Sequence, residues 1–196
     1  MKTLIDRREA IRRTAMIMGV AVSATTMAAF LEGCKNAPDL NYKPVFFTED
    51  QARLISEVAE IILPKTDTPG AKDVGVPNFI DMLINDCYKP EDQKNFTDGL
   101  TKFDEEAKKN YGDSFIYLSA EKQKEYVKKT HDEAIAAMKS DKALPRPFII
   151  KLKELTMLGF FDSEPGATQV LQYNQVPGAY HGCIPLSEAG NGKTWA

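Results

Sequence analysis

The chain has 196 residues, 43% of them hydrophobic, and a formal net charge of −3. That length suits one domain with a core of ordinary size. The acidic balance lacks the basic footprint of a nucleic-acid binder. The first 33 residues hold five basic side chains (Lys2, Arg7, Arg8, Arg12, Arg13) against three acidic ones (Asp6, Glu9, Glu32), which leaves 20 basic and 25 acidic groups in the remainder, a net of −5. Basic charge is thus gathered at the N-terminus, as a targeting segment requires.

The N-terminal segment reads as an export signal over residues 1–33. Asp6 to Arg12 precedes a weakly apolar run from Thr14 to Leu31, rich in Ala, Met, Val, Gly and Thr. A basic start, a modest apolar stretch and small residues near its end describe a secretory signal. The competing reading is a membrane anchor, since 18 residues are just enough to span, but Ser23, Thr25 and Thr26 make a poor one. The adjacent Arg7 and Arg8 resemble a twin-arginine signal, with Ala10 in the aromatic position and Ile11 three places on. Leu31-Glu32-Gly33-Cys34 resembles a lipobox, in which Cys34 would become the lipidated first residue. Otherwise Cys34 is incidental within an uncleaved anchor. Residues 34–47 then read as a polar tether.

Thr48 to Gln51 has the form of a capping box, and Ile55, Val58, Ala59 and Ile62 share one face of the helix that follows. Pro64 ends it. The next dozen residues lack apolar periodicity but are dense in Pro and Gly: Pro64, Pro69, Gly70, Gly75 and Pro77. Such a loop is rigid and specifically shaped. Either Lys65, Thr66, Asp67 and Thr68 display a docking edge, or the loop merely joins two helices of its own core. Thr66-Asp67-Thr68 could also face a cation, although Asp67 fixing the turn through backbone hydrogen bonds is the simpler account.

Pro77 starts a second helix packing Phe79, Ile80, Leu83, Ile84 and Cys87. Pro90 opens a third, with Phe96, Leu100, Phe103, Ala107 and Tyr111 at helical spacing and Gly112 as its terminator. Ser119 is the N-cap of a fourth, peripheral helix running to about Lys139, with sparse apolar positions at Val127, Ala134, Ile135 and Met138. Pro145 and Pro147 precede the most apolar stretch, Phe148 to Phe161, with Leu152, Leu155, Leu158 and Phe161 as its buried stripe. From Asp162 the pattern dissolves among Glu164-Pro165-Gly166, Pro177-Gly178 and Gly190-Asn191-Gly192. Only Gln169 to Tyr173 alternates briefly as a strand does. The fold class is therefore all-α: about five helices over residues 48–161, an N-terminal export signal, and a long irregular tail over 162–196 that packs on the domain or on a partner.

No catalytic constellation is legible. His131 reads as a half-buried structural imidazole. His181 beside Cys183 is a conceivable nucleophile pair without an orienting group, or a turn beside a disulfide. With Cys34 lipidated, Cys87 and Cys183 remain; in an oxidising compartment they can form one disulfide, or they are two small apolar side chains. No cysteine–histidine cluster suggests a metal, and no dinucleotide-binding glycine pattern follows a strand.

The run Ala59-Glu60-Ile61-Ile62-Leu63-Pro64-Lys65-Thr66-Asp67-Thr68-Pro69-Gly70-Ala71, then Gly75-Val76-Pro77 with Phe79-Ile80-Asp81, and later Leu158-Gly159-Phe160-Phe161 before Ser163-Glu164, resembles the gluconate 2-dehydrogenase subunit 3 family. Phe160 and Phe161 stand where that family commonly has tyrosines. The resemblance implies a non-catalytic small subunit with no cofactor of its own. Its partner would be a large subunit of the glucose–methanol–choline oxidoreductase type, which holds FAD and oxidises a sugar, sugar acid or glycoside. A haem-bearing cytochrome c would then take the electrons. The small subunit would escort the large one through twin-arginine export and stay bound in the periplasm, anchored through Cys34 or an uncleaved signal. Pro64, Lys65, Thr66, Asp67, Thr68, Pro69 and Gly70, with Phe160, Phe161, Tyr173 and Tyr180, are the expected partner contacts. The alternative is a free-standing periplasmic lipoprotein that binds a sugar or another ligand itself.

Overall fold

The computed structural model describes residues 8–12, 37–176, 178–179, 182–188 and 192–194. Residues 1–36 and 37–196 form two units. Of the first, residues 8–12 make an exposed helical turn that carries Arg8 and Ile11. Arg7 and Cys34 lie outside the described residues. No described helix is long and apolar enough to cross a membrane.

In the second unit the Thr48 hydroxyl accepts from the Gln51 N–H while the Gln51 side chain accepts from the Thr48 N–H, closing the expected capping box at the start of α1, Glu49–Ile62. After the loop, Gly75 adopts φ 77° and α2 runs Val76–Cys87 with Pro77 in its first turn. α3 spans Pro90–Tyr111 and ends on Gly112 at φ 81°, whose N–H returns to the Lys108 carbonyl. A 3₁₀ turn, Phe115–Tyr117, leads through the Ser119 cap into α4, Ala120–Ser140. α5 is Phe148–Phe161, and a π-helical turn follows at Gly166–Val170. Every regular element among the described residues is thus helical, which agrees with the all-α reading. The brief alternation at Gln169 to Tyr173 resolves into that π turn and one isolated bridge, from the Gln172 N–H to the Thr194 carbonyl at 2.8 Å.

The hub is α5, which packs against each of the other four helices. Its burial explains its composition. Ile149, Ile150, Leu152, Leu155, Thr156, Gly159 and Phe160 are all buried, more than one stripe could hold, as expected of a helix enclosed on most sides. Two glycines permit the close approach. A Cβ on Gly99 would lie 2.8 Å from the Phe148 Cβ, and one on Gly159 would lie 2.5 Å from the Phe79 ring. Leu158, assigned above to the buried stripe, is instead 46% exposed. The stripe drawn with three-residue spacing from Leu152 falls short of a full turn at each step and so drifts around the helix.

α4 is less peripheral than its sparse apolar residues imply. Its core face is built from side chains with polar tips: Tyr126 is buried, with its hydroxyl donating to the Phe103 carbonyl at 2.8 Å, and Gln123 is buried, donating to the Phe115 carbonyl at 2.9 Å. Burial first, then the nearby Glu106 carboxylate, pushes the Tyr126 hydroxyl pKa up. The Tyr126 ring lies 4.7 Å from Phe103, which in turn lies 5.3 Å from Phe115.

Residues 37–47, read above as tether, lie on the helices. Phe47 is buried, Leu40, Tyr42 and Phe46 pack against the core, and the Tyr42 hydroxyl donates to the Pro77 carbonyl. The pin is Asp81. This carboxylate is fully buried and accepts from three successive backbone N–H groups, Val45 at 2.6 Å, Phe46 at 3.1 Å and Phe47 at 2.9 Å. A buried charge is tolerated only when hydrogen-bonded, and here three donors supply that. Asp81 stands with Pro77, Ile80 and Ile84 on the apolar face of α2, so a lone carboxylate at i+1 of a core residue is the sequence signal that could have revealed it.

Candidate functional site

The loop between α1 and α2 is closed by two carboxylates. Glu60, in the last turn of α1, accepts from the Lys65 N–H at 3.0 Å and the Lys72 N–H at 2.9 Å, so one side chain ties the two sides of the loop. Asp73 accepts from the Gly70 N–H at 3.1 Å and pairs with the Lys65 ammonium at 3.0 Å. Those contacts, the Gly70 N–H first and Lys65 second, hold its pKa below the usual carboxylate value. The Ala71 N–H returns to the Leu63 carbonyl, and Lys72 pairs with Glu57 at 2.6 Å. A Cβ at Gly70 would collide with the Glu60 carboxylate and sit 2.7 Å from the Lys65 nitrogen. Glycine is required there because the clasp leaves no room.

Pro64, Lys65, Thr66 and Asp67 are exposed at the tip, Thr68 and Pro69 are half-buried, and Gly70 is buried. The tip is therefore displayed on a preformed base. Its internal bonds run through threonines: Thr66 N–H donates to the Thr68 carbonyl at 3.0 Å, and the Thr66 hydroxyl accepts from the Thr68 N–H. Asp67 was expected to fix the turn through its own bonds, but Thr66 does so, because its hydroxyl lies beside the Thr68 amide. Glu57 and Glu60, which are not among the residues of the apolar face of α1, are the loop's anchors.

The C-terminal segment differs in kind. Among the described residues, six of the eleven exposed large apolar side chains lie from the end of α5 onward: Met157 at 41%, Leu158 at 46%, Tyr173 at 59% and Val176 at 78%, with Ile184 and Leu186 beyond. Ser163 donates to the Phe160 carbonyl and accepts from the Gly166 N–H, turning the chain so tightly that a Cβ on Gly166 would overlap the Phe160 carbonyl. The bridge from Gln172 to Thr194, with the Lys193 ammonium on the Gln169 carbonyl at 2.5 Å, brings the end of the chain back to this turn. Tyr173 is thus available for contact. Phe160 is not: it is buried at 4% exposure, its ring edge-on to the half-buried Phe161. Packing against the core took the residue that sequence placed at the surface. Tyr180 and His181 lie outside the described residues.

Cys87 and Cys183 are free, exposed thiols, so of the two readings open for them the disulfide is not formed. Cys87, at the last position of α2, points away from the core that Ile80 and Ile84 enter. His131 is half-buried, as read from its spacing, with the Lys153 ammonium 3.1 Å from Nε2 and Asp132 3.4 Å from Nδ1. Among the described residues no group of three His, Cys, Asp or Glu side chains is placed to hold a metal.

With this geometry in view, the family model described as gluconate 2-dehydrogenase subunit 3 matches residues 49–178. The chain belongs to that family. The match opens on the first residue of α1 and takes in the clasped loop, all five helices and the first part of the C-terminal segment. The family is, by its description, one subunit of a dehydrogenase that has others. No curated protein and no solved structure matches the chain.

Proposed function

We propose that this chain is the non-catalytic small subunit of an exported FAD-dependent dehydrogenase acting on a sugar, sugar acid or glycoside. It escorts the flavin-bearing large subunit through twin-arginine export, remains bound to stabilise it, and is held at the membrane through its N-terminal segment or lipidated Cys34. Electrons leave the complex through a cytochrome c. The observation that carries this reading is the concentration of exposed apolar side chains from Met157 to Leu186. Apolar surface gathered in one segment of a small domain marks a protein contact. The clasped loop supports it, since a preshaped edge loses little conformational entropy on docking.

Co-expression tests it. The large subunit should co-purify with the wild-type chain, retain its FAD and reach the periplasm. Replacing Arg7 and Arg8 together by Lys should leave it in the cytoplasm. Equal export with and without the arginine pair overturns the escort role, and failure to co-purify overturns the accessory role.

A further inference from the structure

A notch of about 380 Å³ opens between the end of α1, α4 and α5. Its floor is apolar, formed by Ile61, Val127 and Ile149. Its rim is cationic. Lys124, Lys128 and His131 stand at helical spacing on one face of α4, and Lys153 faces them from α5, one turn beyond Ile149. A lysine ammonium can only donate. Nε2 of His131 therefore accepts from Lys153 at 3.1 Å, which places the ring proton on Nδ1, toward Asp132.

Among the described residues none of these three lysines is in an ion pair, whereas Lys65, Lys72, Lys94, Lys102 and Lys108 all are. No described carboxylate lines the notch: Glu57 pairs with Lys72, Glu60 holds the loop amides, Glu154 pairs with Arg146 and Glu125 accepts from Tyr111, while Asp132 stands beside Nδ1 of His131. The C-terminal end of α1 meets the notch at Ile61 and Ile62, but its dipole offers only about half a negative charge against three ammonium groups. The positive field is left over in a domain whose net charge is negative, and concave apolar walls focus such a field.

We infer that this notch receives an acidic segment of the large subunit in which a carboxylate adjoins an apolar side chain. The assignment rests on the accessory-subunit reading. Charge complementarity selects the carboxylate, and the Ile61–Val127–Ile149 floor selects its apolar neighbour. Lysines act as point charges without the fixed fork of arginine. The notch therefore steers and registers the partner more than it fixes bond geometry.

The test is the association rate of the co-expressed large subunit with the full chain, followed as a function of salt. Replacing Lys124, Lys128 and Lys153 together by Gln should slow association about tenfold at low salt and flatten the salt dependence. K94Q/K102Q/K109Q on α3 makes the same change in net charge away from the notch and should leave the rate unchanged. If circular dichroism shows the first variant unfolded, K124Q/K128Q, confined to exposed side chains, carries the same expectation with a smaller effect. An unchanged rate and salt slope, or an equal slowing in the α3 variant, overturns the notch while sparing the accessory role. No association by the wild-type chain overturns both.

Discussion

The loop end of the domain and its C-terminal segment are both rich in Pro, Gly and polar residues, yet they solve opposite problems. Between Val45 and Asp81 three carboxylates tie the chain back to its own domain: Glu60 and Asp73 hold the base of the loop, and Asp81 holds residues 45–47. From Met157 onward the chain is turned by Ser163 and closed by the Gln172–Thr194 bridge, but it leaves apolar side chains in water. One region spends its polar groups on its own stability. The other holds surface in reserve. Irregular sequence alone therefore does not distinguish a self-satisfied scaffold from a contact surface; where the hydrogen bonds end does.

The sharpest way to break this contrast is Asp81→Ala. Three backbone donors would lose their shared acceptor, with an expected loss on the order of 3 kcal/mol in denaturant unfolding. Wild-type stability in that variant would show that the carboxylate does not anchor the segment. Gly70→Ala comes next, at about 1–3 kcal/mol, because the new methyl group must displace the Glu60 carboxylate from the loop amides. A smaller effect is pH-dependent. Asp73 has a folded-state pKa below its unfolded value, so its contribution is present at neutral pH and is lost as pH falls through that lowered value. The Gly70 amide resonance should titrate with a midpoint below about 4, the ordinary aspartate value, and Asp73→Asn should abolish that titration. A midpoint above the ordinary value would contradict the clasp.

The smallest stability effects should lie in the C-terminal segment. Leu158→Glu with Tyr173→Ser should shift unfolding by no more than about 0.5 kcal/mol, as for surface sites generally, while sharply reducing recovery of the large subunit. Asp67→Ala should be similarly silent toward folding. If the Leu158 and Tyr173 changes unfold the domain while sparing partner recovery, the contrast between the two regions is reversed.

Much of this architecture was legible because local rules act within a few residues. The Thr48–Gln51 box, Gly112 and the Ser119 cap each satisfy helix-end groups locally, so their positions could be read directly. Phe96, Leu100, Phe103 and Ala107 recur at helical period and are all buried. The family motif around Pro64 to Ala71 also marked the loop as special. What it could not convey is that Glu60, Asp73 and Asp81 serve as internal anchors, since a carboxylate's partner lies across a fold that spacing does not encode.

The amino-acid sequence by itself determined the all-α class, the helix ends, the family and the place of the rigid loop, because capping, proline stops and apolar period are local. Tertiary structure alone decided that Phe160 is core and Leu158 surface, that Tyr126 and Gln123 complete a helix poor in apolar residues, and that three lysines from two helices gather around one notch with no ion pair among the described residues. The reason is physical: burial and charge pairing depend on which helices face one another, and here that is set by the close approach at Gly99 and Gly159 and by the position of α5 among all its neighbours.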